Sequence, residues 1–185
     1  MYKTSALIFI FFVTAVTAQV QPQEAPRELQ IIKAEPKKQN VDPYIEQLKK
    51  FKVDWAKKVK ESGNSYTLTS NVQSMIGSTI TVMKIDDGKV TNRKVSYDFR
   101  GGTPPKAIDE KVGSINKNNS GSKAKTMEEF ITEAEKMLSD YKAGKIKGTL
   151  YFKIKDYSLM CLLTPHMVAC HPGNGVRINS CNWNK

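Results

Sequence analysis

Two histidines and three cysteines in 185 residues leave little material for metal or thiol chemistry. They crowd together as Cys161, His166, Cys170, His171 and Cys181, but their spacing is not that of a zinc finger or ribbon. No motif flanks a cysteine–histidine pair in the way a nucleophile requires. Gly-x-Ser-x-Gly is missing, and Gly101-Gly102 and Gly173-Asn174-Gly175 stand isolated from any phosphate loop. Acidic charge is the minority, 18 Asp and Glu against 29 Lys and Arg, a formal charge of +11. Asp86-Asp87 falls in a turn and Glu128-Glu129 in a first helical turn, places that favour carboxylates for local reasons. Asp109-Glu110 and Glu133/Glu135 complete the carboxylate pairs, without a pattern for acid–base work. The expectation is a protein without catalytic residues, cofactor or metal. No stretch after the N-terminus is apolar enough to span a bilayer.

What is present begins with an address. Lys3 supplies a positive start, Ala6–Val13 is an apolar run, and Val16 and Ala18 are small residues at −3 and −1 of a cleavage site before Gln19. Residues 1–18 therefore read as a secretory signal and the protein as extracellular. In an oxidising space two of the three cysteines are expected to pair, and Cys161–Cys170, across the turn at Thr164-Pro165, is the favoured disulfide. Which two pair stays open on sequence grounds. Asn118-Asn119-Ser120 is a glycosylation sequon at Asn118 in a polar stretch.

Residues 19–40, rich in Gln, Glu, Pro and Lys, read as a flexible leader, and residues 41–185 as one domain. Asp42-Pro43 opens a helix, with Asp as N-cap and Pro at the first helical position, and Gly63 closes it. Ile45, Leu48, Phe51, Trp55 and Val59 draw one apolar stripe along it. Residues 65–99 then change to strand periodicity. Asp86-Asp87-Gly88 marks a hairpin, and Val95, Tyr97 and Phe99 share a face, which predicts a three-strand antiparallel meander. Residues 100–125, with Gly101-Gly102 and Pro104-Pro105, read as a long, partly disordered surface connection. Thr126-Met-Glu-Glu129 is a capping box for a second helix striped by Phe130, Ala134, Met137, Leu138 and Tyr141 and stopped by Gly144. Strands are expected at 148–156, 159–163, 167–170 and 176–178, with a turn at Pro172–Gly175. Helix, meander, helix, meander predicts an α+β fold: one antiparallel sheet of about five or six strands with two amphipathic helices on one face.

The charge excess is concentrated. Lys49, Lys50, Lys52, Lys57, Lys58 and Lys60 make the first helix basic, with Glu46, Asp54 and Glu61 interspersed, and Lys142, Lys145 and Lys147 follow the second helix. Such a field attracts polyanions, while the same lysines also solvate exposed helix faces.

Three groups of residues carry a resemblance. They are Asn64-Ser-Tyr66 with Ser74–Gly77, Thr79–Val82, Gly88–Val90 and Arg93; Val112–Ile115 leading into Lys125–Glu129; and Leu150-Tyr-Phe152 with Gly175–Ile178 and Trp183. Over residues 45–183 the chain resembles an uncharacterised family of small secreted α+β domains of invertebrates and protists. The cysteine-rich acidic segment usual there is reduced to Thr164–Gly175, and the likeness implies fold and secretion. The chain is also similar to cystatins, inhibitors of papain-type proteases, in placing a long helix before an antiparallel sheet. Gln73-Ser-Met-Ile-Gly77 partly matches their Gln-x-Val-x-Gly hairpin, with Met75 in the valine position, while their Pro-Trp hairpin and leader glycine are missing. The resulting expectation is a secreted, non-enzymatic binding protein or constituent of an extracellular matrix, including a mineralised invertebrate one. Its basic surface would meet acidic polymers or matrix proteins, with no specific nucleic acid and no membrane span. Cysteine protease inhibition is the alternative.

Overall fold

The computed structural model describes residues 39–164 and 173–184. The expected signal, the expected leader up to residue 38, the strand expected at 167–170 and Cys170 lie outside the described residues. Among the described residues, two helices and eight strands follow in the order α1 (Asp42–Ser62), β1 (Tyr66–Ser74), β2 (Gly77–Asp86), β3 (Lys89–Phe99), β4 (Ile108–Lys111), α2 (Met127–Lys142), β5 (Thr149–Lys155), β6 (Ser158–Thr164), β7 (Asn174–Ile178) and β8 (Ser180–Trp183). The fold is α+β, with an antiparallel five-stranded sheet ordered β4-β3-β2-β1-β8 and a three-stranded one ordered β5-β6-β7. No helix among the described residues is long and apolar enough to cross a membrane.

Helix α1 starts one residue earlier than its composition implies. Val41 is the N-cap and Asp42 already lies in the first turn, its N–H bonded to Asn40 Oδ1 at 3.1 Å. Asp42 is thereby released to pair with Lys142 Nζ at 2.6 Å, at the end of α2. Gly63, at φ 74°, ends the helix where a left-handed residue is needed. Leu48, Phe51 and Trp55 are the buried part of the stripe, each contributing about 1.5–3 kcal/mol of burial. For α2 the capping box is complete, Thr126 Oγ1 accepting from Glu129 N and Glu129 Oε2 from Thr126 N. The buried residues of both helices join one hydrophobic cluster with Tyr66, Leu68, Met83, Ile85, Leu150, Leu159, Val176 and Ile178 from the strands.

The meander forms as β1-β2-β3. Asp87 and Gly88, both at positive φ, make the two-residue turn between β2 and β3. Thr91 is left over between the pairs Lys84↔Asn92 and Ile85↔Val90, a bulge in which its hydroxyl bonds Asp86 Oδ2 at 2.8 Å. The C-terminal segment departs from a single sheet. Residues 174–178 pair with β6, and residues 180–183 pair with β1 in the register Tyr66↔Trp183. Asn174 and Gly175 are therefore strand residues and not a turn. Asn179 holds the crossing, donating its N–H to Thr69 O at 2.8 Å and accepting from Asn71 N on Oδ1 at 2.7 Å.

The connection at 100–125 contains β4 and is held down by a buried ion pair. On the inward face Leu68, Met83, Arg93 and Glu110 lie side by side across β1, β2, β3 and β4. Arg93 is 1% exposed and Glu110 5%, and Arg93 Nη1 donates to Glu110 Oε2 at 2.7 Å. Two charges survive there because all three guanidinium nitrogens and both carboxylate oxygens are bonded. Arg93 Nε donates to Ser122 O at 2.9 Å and Nη2 to Ser120 O. The Glu110 carboxylate also accepts from Asn116 N and Asn118 N, both at 2.8 Å. Gly121, at φ 71°, passes so close to the sheet that a Cβ would lie 2.5 Å from Thr81 Oγ1 and 2.9 Å from Val95 Cγ1.

Candidate binding groove on helix α1

A groove of about 530 Å³ runs between the exposed side of α1 and the turn joining β5 to β6. Gln47, Lys50, Phe51, Asp54, Lys57, Lys58 and Glu61 come from the helix, at the three- and four-residue spacing that places side chains on one face. Ile154, Lys155, Asp156 and Tyr157 close the other side. Asp156 and Tyr157 are both left-handed, at φ 47° and 60°, the geometry of a tight hairpin turn. That turn swings the Tyr157 ring to 6.4 Å from Phe51 and 6.1 Å from Trp183, so the groove has an aromatic floor.

The six lysines of α1 separate into groups. Lys50, Lys57 and Lys58 line the groove. Lys49 is tied to Glu46 at 2.8 Å, which also raises its pKa. Lys52 leaves the groove for Glu135 of α2, at 2.8 Å. Lys60 is exposed and is not among the residues lining this groove. Lys58 Nζ stands 5.9 Å over the Trp183 ring, a cation–π contact. Lys57 and Lys155 reach Glu61 and Asp156 only at 3.9 and 3.8 Å, loose pairs that an incoming anion can displace. Lys155, Asp156 and Tyr157 were not candidates on sequence grounds. The readable signal was the two-residue gap between the alternating runs 149–155 and 158–164.

The other sequence candidates scatter. Cys161 is buried on β6 with its Sγ 3.6 Å from Met137 Sδ, and Cys181 lies half-buried on β8. Burial, with the charge of Glu133 beside Cys161 and of Glu128 beside Cys181, pushes both thiols up to about 12. Thiols held there are poor nucleophiles. Neither forms a disulfide among the described residues, and the partner expected for Cys161, Cys170, lies outside them. No group of three or more His, Cys, Asp or Glu among the described residues is arranged to hold a metal ion. Asn118 is exposed, and its side-chain oxygen accepts from Ser120 N at 2.8 Å.

Glu128 does more than its helix-start position implies. Its carboxylate accepts Trp55 Nε1 at 2.7 Å and the Tyr66 hydroxyl at 3.1 Å, and that hydroxyl accepts Met127 N at 3.1 Å. Burial, with Glu128 adjacent, pushes the Tyr66 phenol well above its ordinary value. The group is a structural knot joining α1, β1 and α2. Gln73–Gly77 forms the tip of the β1–β2 hairpin, presenting Met75 at 78% and Ile76 at 63% exposure. Arg100 N donates to Ile76 O at 3.0 Å and draws the following loop alongside. No family model, curated protein or solved structure matches the chain, so its activity has to be read from these residues.

Proposed function

We propose that the protein is an exported, non-enzymatic binding protein that holds acidic extracellular polymers against helix α1. The observation that carries this reading is the groove itself. Lys50, Lys57 and Lys58 from one helix and Lys155 from a turn about a hundred residues away surround an aromatic floor. Lys50 and Lys58 have no carboxylate partner within ion-pair distance among the described residues. Asp54, Glu61 and Asp156 in the same groove favour a polymer with spaced anionic groups, such as a sulfated or carboxylated glycan, over densely charged nucleic acid. Tyr157, half-buried at the groove, offers the apolar surface on which a sugar ring can lie. The test is retention on immobilised heparin with salt elution. The wild type should elute only at high salt, and Lys50→Gln/Lys58→Gln should elute markedly earlier with its fold intact. Elution of the wild type at low salt, or a double variant that elutes with it, removes the reading.

The exposed Met75–Ile76 tip favours a second reading, insertion of that hairpin into the cleft of a papain-type protease. Met75→Asp and Ile76→Asp alter only exposed side chains. Inhibition of papain at micromolar concentration that both variants abolish would support it, and no inhibition by the wild type ends it.

A further inference from the structure

A second basic cavity, sharing no residue with the α1 groove, lies where the two sheets meet beside α2. It has a volume of about 190 Å³. Val72, Phe130 and Leu162 give it apolar walls, and Lys123, Lys125, Arg177 and Glu133 supply its charge. Three cations thus face one carboxylate, and that carboxylate is engaged: Lys125 Nζ bonds Glu133 Oε2 at 2.6 Å while standing 5.9 Å over the Phe130 ring. The other two cations are not spent. Lys123 is exposed and has no ion pair among the described residues. Arg177 makes a single long bond, Nη1 to Asn71 O at 3.4 Å, leaving its Nε and Nη2 donors without a partner among the described residues. An arginine fork held half-buried by one backbone carbonyl is oriented for a planar or tetrahedral oxoanion.

We propose that this cavity binds one anionic oxoacid group, a sulfate or a carboxylate, with Arg177 as the two-pronged donor, Lys123 as the second cation and Phe130 and Leu162 against the body that carries the group. Size limits what that body is. At 190 Å³ the cavity holds about six waters' worth of liquid volume and falls short of the roughly 300 Å³ at which pockets for drug-sized ligands begin. A free anion, or the terminal sugar of an acidic glycan, fits. The site stands independently of the α1 groove and survives if the groove binds nothing.

The experiment is a titration of the folded full chain, followed by amide and arginine Nε NMR signals, with inorganic sulfate in one arm and a sulfated disaccharide in the other. Saturable shifts are expected at Gly173, Gly175 and Arg177 and at Ser122–Lys125 in both arms, with a midpoint independent of any response of the disaccharide arm along Gln47–Glu61. Equal affinity in both arms identifies a free-anion site; tighter binding of the disaccharide identifies a site for sugar-borne groups; both support the cavity. Arg177→Gln should weaken binding by roughly tenfold or more, the loss of charge-assisted hydrogen bonds. Lys123→Gln alters only an exposed side chain and keeps the test valid if the arginine variant is unstable, with an expected loss of about two- to fivefold. No saturable shift in either arm, or Lys123→Gln and Arg177→Gln both binding as the wild type does, overturns the proposal.

Discussion

Replacing Glu110 with alanine is expected to be the most damaging single polar change in the domain. The carboxylate accepts from Arg93 Nη1 at 2.7 Å and from the backbone of Asn116 and Asn118 at 2.8 Å. Its loss strands a guanidinium that is 1% exposed and frees the backbone of the connection leading to α2. Breaking a buried pair by removing one member costs about 3–5 kcal/mol, a large fraction of the stability of a domain of this size. Urea unfolding should show that loss as a shift of midpoint, and hydrogen exchange at the Asn116 and Asn118 amides should accelerate ahead of the core strands. Arg93→Met/Glu110→Leu should lose less than Glu110→Ala, because no unpaired charge stays behind. A cost under about 1 kcal/mol for Glu110→Ala, with unchanged exchange at those amides, would refute the claim that the pair holds the connection.

Other outcomes follow from the same structure. Burial alone would raise the Glu110 carboxyl, but the Asn118 N–H, the Arg93 guanidinium and the Asn116 N–H hold it below its ordinary value of 4.5. A depressed folded pKa stabilises above the unfolded value, so this contribution should be intact at neutral pH and fade as pH falls below about 4.5, read as the acid limb of a stability–pH profile that Glu110→Gln flattens. In the reduced protein, Cys161 and Cys181, with thiol pKa values pushed up to about 12, should react with iodoacetamide far more slowly in the native state at pH 8 than in urea, as peptide mapping would show; equal rates would contradict their burial. Trp55→Phe removes the 2.7 Å donor to Glu128 and leaves a smaller phenyl ring in the place of the buried indole, and should cost at least about 1–3 kcal/mol by thermal or urea unfolding. Gly121→Ala, at φ 71° with its Cβ 2.5 Å from Thr81 Oγ1, should destabilise measurably, whereas Gly101→Ala, with no neighbour within 4 Å, should cost only its backbone strain.

The parts of this protein legible in the sequence are those governed by neighbours in the chain. Helix α2 is readable because Thr126 and Glu129 cap it reciprocally and its apolar residues recur with helical period. The β2–β3 hairpin is readable because Asp87-Gly88 tolerates positive φ. The first helix was misplaced by one residue at its start because Asn40, not Asp42, supplies the side-chain acceptor. β4 was hidden because only four residues of a Gly- and Pro-rich stretch pair, and what holds them is Arg93, a charge on the same face of β3 as Val95.

Local rules had no access to what is decided across the chain. Trp183 pairs with Tyr66 and closes the five-stranded sheet on its β1 side, a register that no pattern within residues 174–183 specifies. Asn179 divides one extended segment between two sheets because its backbone and side chain both bond to β1. The sequence by itself settled that helix α1 is basic. Only the tertiary structure decided which of those lysines face one groove, because Lys52 is drawn off to Glu135 and Lys155 is brought in by a turn from the far end of the domain. Period and capping act over a few residues, whereas a binding surface is assembled by burial, which acts between segments whatever their separation along the chain.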